Sequence, residues 1–139
     1  MKILGIDYGD VRTGVAVSDA LLLTAQGLPT ITEPGMKKAA EKIAAVAKAE
    51  GVDEIVVGFP RNMNGTVGER GEKTRRLTEL LEESLNIPII LWDERLTTVS
   101  AHNIMNETNV RGKKRKNEVD RLAATIILQG YLDFRREKL

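Results

Sequence analysis

The order of the predicted elements indicates an α/β fold built on a mixed five-stranded sheet. Three strand-like segments come first and are joined by short links, which is typical of an antiparallel meander. Helical and strand-like segments then alternate, which predicts parallel strands with helices on both faces of the sheet. The chain has the length of a single domain, so we expect one domain that runs from residue 1 to residue 139.

Apolar spacing and turn residues place the individual elements along the chain. In order, they are strands at residues 2–7, 13–18 and 22–31, a helix at 36–50, a strand at 54–59, a loop at 60–68, a helix to about 85, a strand at 88–93, a short helix at 98–106, a basic loop at 107–116 and a last helix from about 118 through 132.

Each boundary has a local reason. The meander ends at Pro34-Gly35, because this pair interrupts the strand pattern. Apolar residues then recur at helical spacing up to Gly51, a residue type that often follows a helix. The segments 54–59 and 88–93 are short apolar runs, as expected of strands that are covered on both faces. The last helix is apolar on most sides, so we expect it to pack internally.

Composition limits the kinds of partner and metal site that we expect for this chain. The chain has 21 basic and 20 acidic residues, so its net charge of +1 gives no general indication of a polyanionic partner. Cysteine is absent, which excludes disulfides and thiolate metal sites, and His102 is the single histidine, which makes zinc an unsuitable metal. The apolar stretch after Met1-Lys2 is too short for a signal peptide or a membrane span, so we expect a cytoplasmic protein.

Three acidic residues at the ends of predicted elements are the candidate catalytic groups: Asp7, Glu94 and Asp120. Sites in open α/β sheets gather at the C-terminal ends of parallel strands, where Asp7 and the Asp93-Glu94 pair lie. Taken singly, each acid also has a structural explanation. Asp7 suits a turn, Glu94 an ion pair, and Asp120 the first turn of a helix that Asn117 caps.

The helical setting of Asp120 favours a functional role. It shares a face with Ala123, Ala124, Ile127 and Tyr131, so this face is directed towards the protein. A carboxylate there is costly unless a cation or strong donors compensate it. Hard divalent cations take oxygen ligands, and two of them about 4 Å apart can activate water and stabilise a leaving oxygen.

Two further patterns concern ligands. Successive strand residues point to opposite faces, so Asp93 and Glu94 cannot both serve, and the pattern leaves open which one does. Five of the six residues from 111 to 116 are basic, and such a run is either a nucleic-acid contact or a solvated loop. These residues are Arg111, Lys113, Lys114, Arg115 and Lys116.

Four stretches, in order and at the family's spacing, resemble the YqgF/RuvX family. They are Leu4-Gly-Ile-Asp7-Tyr-Gly9-x-x-Arg12-Thr-Gly14-Val-Ala, Val56-Val-Gly58-x-Pro60 with Asn64-Gly-Thr66, Asp93-Glu-Arg-Leu-Thr-Thr98, and Val119-Asp120-x-x-Ala-Ala124-x-x-Ile-Leu-Gln129-x-Tyr-Leu132. Members of this family are described as pre-16S rRNA nucleases or Holliday-junction resolvases with an RNase H-like fold. The resemblance therefore implies a three-layer RNase H-like domain and a metal-dependent nuclease.

The resemblance also implies roles for individual residues. Asp7, Glu94 and Asp120 would bind Mg²⁺, or Mn²⁺, with Asp93 in reserve for the middle position. Arg12 would contact a substrate phosphate, although it also suits a structural role in the hairpin. The basic run would hold the nucleic-acid backbone without reading its sequence.

The implied partner is a nucleic acid, either structured RNA or branched DNA, and not a membrane. The implied assembly is a monomer or a weak homodimer. Maturation of the 5′ end of 16S rRNA is the first expectation, and junction resolution is the alternative within the same chemistry. Two hypotheses from other functional classes remain. One is a nucleotide-binding module of the actin or sugar-kinase type, and the other is a non-catalytic RNA-binding factor.

Overall fold

The structure, a computed structural model, describes residues 1–60, 65, 67–93 and 112–138. Strands and helices account for most of these residues. They are β1 (Ile3–Asp7), β2 (Arg12–Ser18), β3 (Ala25–Thr32), α1 (Met36–Glu50), β4 (Glu54–Phe59), α2 (Glu69–Ser84), β5 (Ile89–Asp93) and α3 (Gly112–Lys138).

The sheet has five strands in the order β3-β2-β1-β4-β5. The pairs β1–β2 and β2–β3 are antiparallel, which makes the predicted meander. The pairs β1–β4 and β4–β5 are parallel. The C-terminal ends of β1, β4 and β5 therefore share one rim of the sheet, and the predicted mixed sheet is confirmed.

Helices cover both faces of this sheet, which gives three layers. Leu4 and Ile6 of β1 point towards α1 and α2, where the larger apolar cluster lies. Ile3 points to the opposite face, in a second cluster with residues of α3 such as Leu128. Since strand side chains alternate, the α3 face of β1 carries residues 3, 5 and 7. This alternation decides where the acidic end of β1 is directed.

The third strand begins at Ala25, three residues later than predicted. The cause is a turn that the Asp19 carboxylate organises, because its Oδ1 accepts the backbone N–H groups of Leu23 at 2.7 Å and Thr24 at 3.1 Å. These backbone hydrogen bonds, the one from Thr24 first, lower the pKa of Asp19. On the helical side, the side chain of Gln129 accepts from the Ala25 amide and donates to the Leu23 carbonyl, which ties α3 to the hairpin.

The last helix begins at Gly112, so two sequence-based expectations are wrong. Residues 112–116 are helical and do not belong to a basic loop, and Asn117 lies inside the helix, where it cannot be an N-cap. Lys and Arg are good helix formers, so the run continues the apolar helix towards its N-terminus. Residues 107–111 and the predicted helix at 98–106 lie outside the described residues. Among the helices that the structure describes, none combines the length and apolar character that spanning a bilayer requires.

Candidate active site

Asp7 lies at the C-terminal end of β1 and faces α3. Two residues earlier on the same face, a Cβ built on Gly5 would lie 2.7 Å from the Cβ of Leu128, so the helix is in direct contact with this side of the strand. Asp7 is also the register partner of Gly14 in β2. Cross-strand partners have their Cα atoms about 5 Å apart and direct their side chains to the same face.

Gly14 brings Asp120 to the same place. A Cβ built on Gly14 would lie only 1.9 Å from the backbone oxygen of Asp120, so the helix rests on the sheet where a side chain is missing. Asp120 is therefore next to the register partner of Asp7. Its neighbours on the helix, Ala124 and Ile127, are fully buried, which confirms the predicted face. The structure thus brings together Asp7 and Asp120, two of the three predicted acids, which lie 113 positions apart in the sequence.

Arg12 completes this cluster from β2. It lies two residues before Gly14, on the same face of the strand, and its Nε donates to Oδ2 of Asp120 at 3.2 Å. Both side chains are partly exposed, with 34% and 25% of their surface accessible. The sequence predicted Arg12 near Asp7 as a phosphate contact, and the structure gives it a protein partner, Asp120.

Alternation along β5 separates Asp93 from this cluster. Trp92 packs against the α3 cluster, with its ring edge-on to that of Tyr131 at a centroid distance of 5.6 Å. The next side chain, that of Asp93, therefore points to the α1/α2 face. Its register partner Phe59 lies on that face, beneath the guanidinium of Arg75. Glu94, the predicted third acid, lies outside the described residues.

A clamp that the sequence did not indicate holds the turn after Asp7. Arg70 in the first turn of α2 donates to the backbone carbonyl of Tyr8 and forms an ion pair with Asp10 at 3.1 Å. Lys73 contacts the same carboxylate at 3.3 Å. The pKa of Tyr8 is raised, first by burial and then by the charge of Asp10. No sequence signal marked Arg70, because its partner is a backbone carbonyl 62 residues away.

Of the predicted basic contacts, residues 113–116 lie in the first turns of α3, which leads towards Asp120. Arg111 lies outside the described residues. Within the described ranges, no three His, Asp or Glu side chains lie close enough together to hold a metal ion. Asp7 and Asp120 nevertheless suit a hard divalent cation, because they offer carboxylate oxygens from one face of the sheet. In this structure Asp120 forms an ion pair with Arg12.

The family model "RuvX: Holliday junction resolvase" matches residues 1–134. The chain belongs to the RuvX family. Two relatives support the match, each named "Putative pre-16S rRNA nuclease". The one from Clostridium novyi is 52% identical over 133 residues, which are 96% of this chain and 98% of the relative. The one from Clostridioides difficile is 50% identical over 134 residues, which are 96% and 95% of the two chains. The predicted family is confirmed.

Solved structures confirm the RNase H-like fold of this RuvX chain. Thermus thermophilus RuvC, solved in complex with a Holliday junction substrate, has a TM-score of 0.63 at 14% identity, over 99% of this chain and 96% of that one. The fowlpox virus Holliday junction resolvase has a TM-score of 0.58 at 12% identity, over 96% and 99% of the two chains. At these identities the likeness shows the fold alone.

Proposed function

We propose that the protein is a metal-dependent nuclease that processes the 5′ end of pre-16S rRNA, with Asp7, Glu94 and Asp120 as the metal ligands. The family and the names of its relatives confirm the predicted enzyme class, a hydrolase that cleaves phosphodiester bonds. The observation that carries the site is the contact of Asp120 with Gly14, the strand partner of Asp7. Two carboxylates on the same face at the rim of the sheet support the proposed metal site.

The described residues also support Glu94 over Asp93 as the third ligand. Trp92 faces α3 and Asp93 faces away from it. Asp93 is therefore poorly directed to share a metal ion with Asp7 and Asp120, which leaves Glu94 as the proposed third ligand.

The chain's own residues have separable tasks in this proposal. Asp7 and Asp120 orient the cation, the Arg70 clamp fixes the turn after Asp7, and the basic start of α3 attracts the phosphate backbone. A bound Mg²⁺ would supply electrostatic stabilisation of the phosphodiester oxygens and activation of water. Mn²⁺ offers the same preference for oxygen ligands and is the alternative.

Conservative substitutions test the three ligands. We expect Asp7→Asn, Glu94→Gln and Asp120→Asn each to lower cleavage of a pre-16S rRNA fragment at least about a thousandfold, since metal stabilisation of the transition state is worth several kcal/mol. Asp93→Asn and Asp133→Asn are the matched controls, since Asp93 faces away and Asp133 forms an exposed ion pair with Arg136 on α3. Both controls should cleave at close to the wild-type rate.

Retained cleavage in an Asp7→Asn, Asp120→Asn double variant would exclude the proposed site. Loss of activity in Asp93→Asn, with Glu94→Gln active, would reverse the choice of the third ligand. Circular dichroism and thermal unfolding of each variant separate loss of chemistry from loss of folding.

Junction resolution is a second candidate substrate chemistry, because the family model carries that description. One preparation should therefore be offered both a pre-16S rRNA fragment and a four-way DNA junction. Faster cleavage of the RNA supports the proposal, and paired cuts in the junction alone support the second candidate. The cytoplasmic location and the monomer or weak homodimer stay predictions, which fractionation and light scattering can test.

A further inference from the structure

The contact between Arg12 and Asp120 joins a strand residue to a helix residue 108 positions later. Two features position the pair. Arg12 and Gly14 share one face of β2, and Gly14 admits the backbone of Asp120 to that face. The guanidinium therefore reaches Oδ2 of Asp120 at 3.2 Å from the strand side, at the same rim as Asp7.

A guanidinium and a divalent cation place competing demands on this carboxylate. Arg12 brings positive charge to Asp120, as a bound metal ion would. The charge of Arg12 would repel a cation bound at the same carboxylate, and the repulsion is only partly screened because both side chains are partly buried.

We propose that Arg12 is a counter-ion of Asp120 in the protein without metal. A divalent cation must displace Arg12 from this carboxylate, and Arg12 then binds a phosphate of the nucleic acid. This inference rests on the proposed function, since it concerns the same metal site. In the protein without metal, Arg12 contributes positive charge beside Asp120, which lies at the same rim as Asp7. In the loaded protein, the same guanidinium is released towards the substrate, whose phosphates it can bind through two parallel hydrogen bonds.

If this exchange occurs, removing Arg12 should change the affinities for metal and for nucleic acid in opposite directions. A purely structural Arg12 would not produce this pattern. Without the guanidinium, the divalent cation should bind more tightly because its competitor is gone. The nucleic acid should bind more weakly because one phosphate contact is lost. If Arg12 only fastened the hairpin to α3, its removal would loosen the site, and both affinities would fall.

The test compares Arg12→Gln with a matched control, Arg75→Gln. The control removes the same charge and an exposed ion pair, between Arg75 and Glu72 at 3.3 Å on α2. Calorimetric titration with Mg²⁺ or Mn²⁺ alone should show binding about tenfold tighter in Arg12→Gln than in wild type, a partly screened fraction of the Coulomb repulsion. Arg75→Gln should match wild type.

Nucleic-acid binding, measured with uncleaved RNA in the presence of Ca²⁺, supplies the second readout. Arg12→Gln should bind more weakly, and the slope of log affinity against log salt should fall by about one. Arg12→Lys keeps a charge near Asp120 without the Nε donor, so its metal affinity should lie between the other two. It also covers the case in which Arg12→Gln does not fold.

The outcomes separate the two proposals. Wild type that binds metal, with Arg12→Gln equal or weaker, overturns the exchange and leaves the nuclease site intact. Wild type, Arg12→Gln and Arg12→Lys that all fail to bind metal overturn both the exchange and the proposed metal site. Metal affinity that rises while RNA affinity falls supports the exchange.

Discussion

The contact between α3 and the sheet has a carboxylate at each end, and the two carboxylates have different partners and exposure. At the rim, Asp120 lies beside the register partner of Asp7 and shares an ion pair with a partly exposed Arg12. At the opposite end of the sheet, Glu54 is buried at 7% exposure and accepts a hydrogen bond of 2.8 Å from the hydroxyl of Tyr131. One helix thus covers an open, charged end and a closed end.

The difference follows from what each end has to do. Glu54 is buried and accepts its hydrogen bond from the neutral hydroxyl of Tyr131, and Trp92 packs edge-on against the ring of Tyr131. Such an arrangement holds the helix against the sheet and is not one that a ligand would displace. The rim instead pairs its carboxylate with a side chain that solvent can reach, as the proposed binding of a metal ion or a phosphate requires. The closed end therefore suits a role in stability, and the open end suits the binding chemistry proposed for it.

Substituting Gly14 by alanine is the strongest way to break the open end. The added Cβ would lie 1.9 Å from the backbone oxygen of Asp120, so α3 must move away from β2. We expect a loss of about 3 kcal/mol in the free energy of unfolding, as for an overpacked core. Cleavage should fall about a hundredfold or more, because a displacement of about 1 Å in a catalytic group has that effect. Denaturant unfolding and single-turnover cleavage measure the two.

The control for this substitution is Gly35→Ala at the start of α1. There the nearest atom to an added Cβ is Oε2 of Glu33 at 3.8 Å, which is an ordinary contact. Its stability should stay within about 1 kcal/mol of wild type, with full cleavage. If Gly14→Ala were as stable and active as this control, α3 would not rest on the sheet at Asp120.

Substituting Tyr131 by phenylalanine tests the closed end. It removes the donor to Glu54 and leaves a buried carboxylate oxygen without that hydrogen bond, which should cost about 2 kcal/mol of unfolding free energy. Cleavage by the folded protein should not change, since this pair lies away from the rim. A large fall in the catalytic rate at unchanged stability would contradict the division between the two ends.

The closed end also predicts a pH dependence. Burial, and then the hydrogen bond to Glu54, raise the pKa of Tyr131 from 10.0 to about 12. The folded protein therefore favours the neutral phenol. Its contribution to stability is fully present below about pH 10 and is lost as the pH rises through about 12.

Tyr8→Phe isolates this titration, because the chain has only two tyrosines. Phenolate absorbance in that variant should appear near pH 12, and adding Tyr131→Phe should reduce the loss of stability above pH 10. Phenolate formation near pH 10 in the folded variant would show that Tyr131 is not held as the structure has it.

Local pattern could predict the strands and the face of α3, because both depend on spacing within short segments. The apolar set around Asp120 is such a case, and its burial is confirmed. The start of α3 was predicted wrongly, because a run of charges suggests a loop while the same residues favour a helix. The pair of Arg12 and Asp120 could not be predicted, since it joins residues 108 positions apart and depends on the missing side chain of Gly14.

The Arg70 clamp allows the most sensitive test of the open end, because Arg70 acts on the position of Asp7 from the opposite face of the sheet. Arg70 contacts both Asp10 and the carbonyl of Tyr8, whereas Lys73 contacts Asp10 without a hydrogen bond to that carbonyl. We expect Arg70→Ala to lower kcat about tenfold with KM within about twofold, because the turn that carries Asp7 loses its fixed position. Lys73→Ala should keep both constants. Lys73→Ala loses only exposed ion pairs, whereas Arg70→Ala also loses the hydrogen bond to the Tyr8 carbonyl, so its melting temperature should fall slightly further. Equal kcat values in the two variants would mean that the acid at the end of β1 is held by the sheet alone, and the open end would then be as rigid as the closed one.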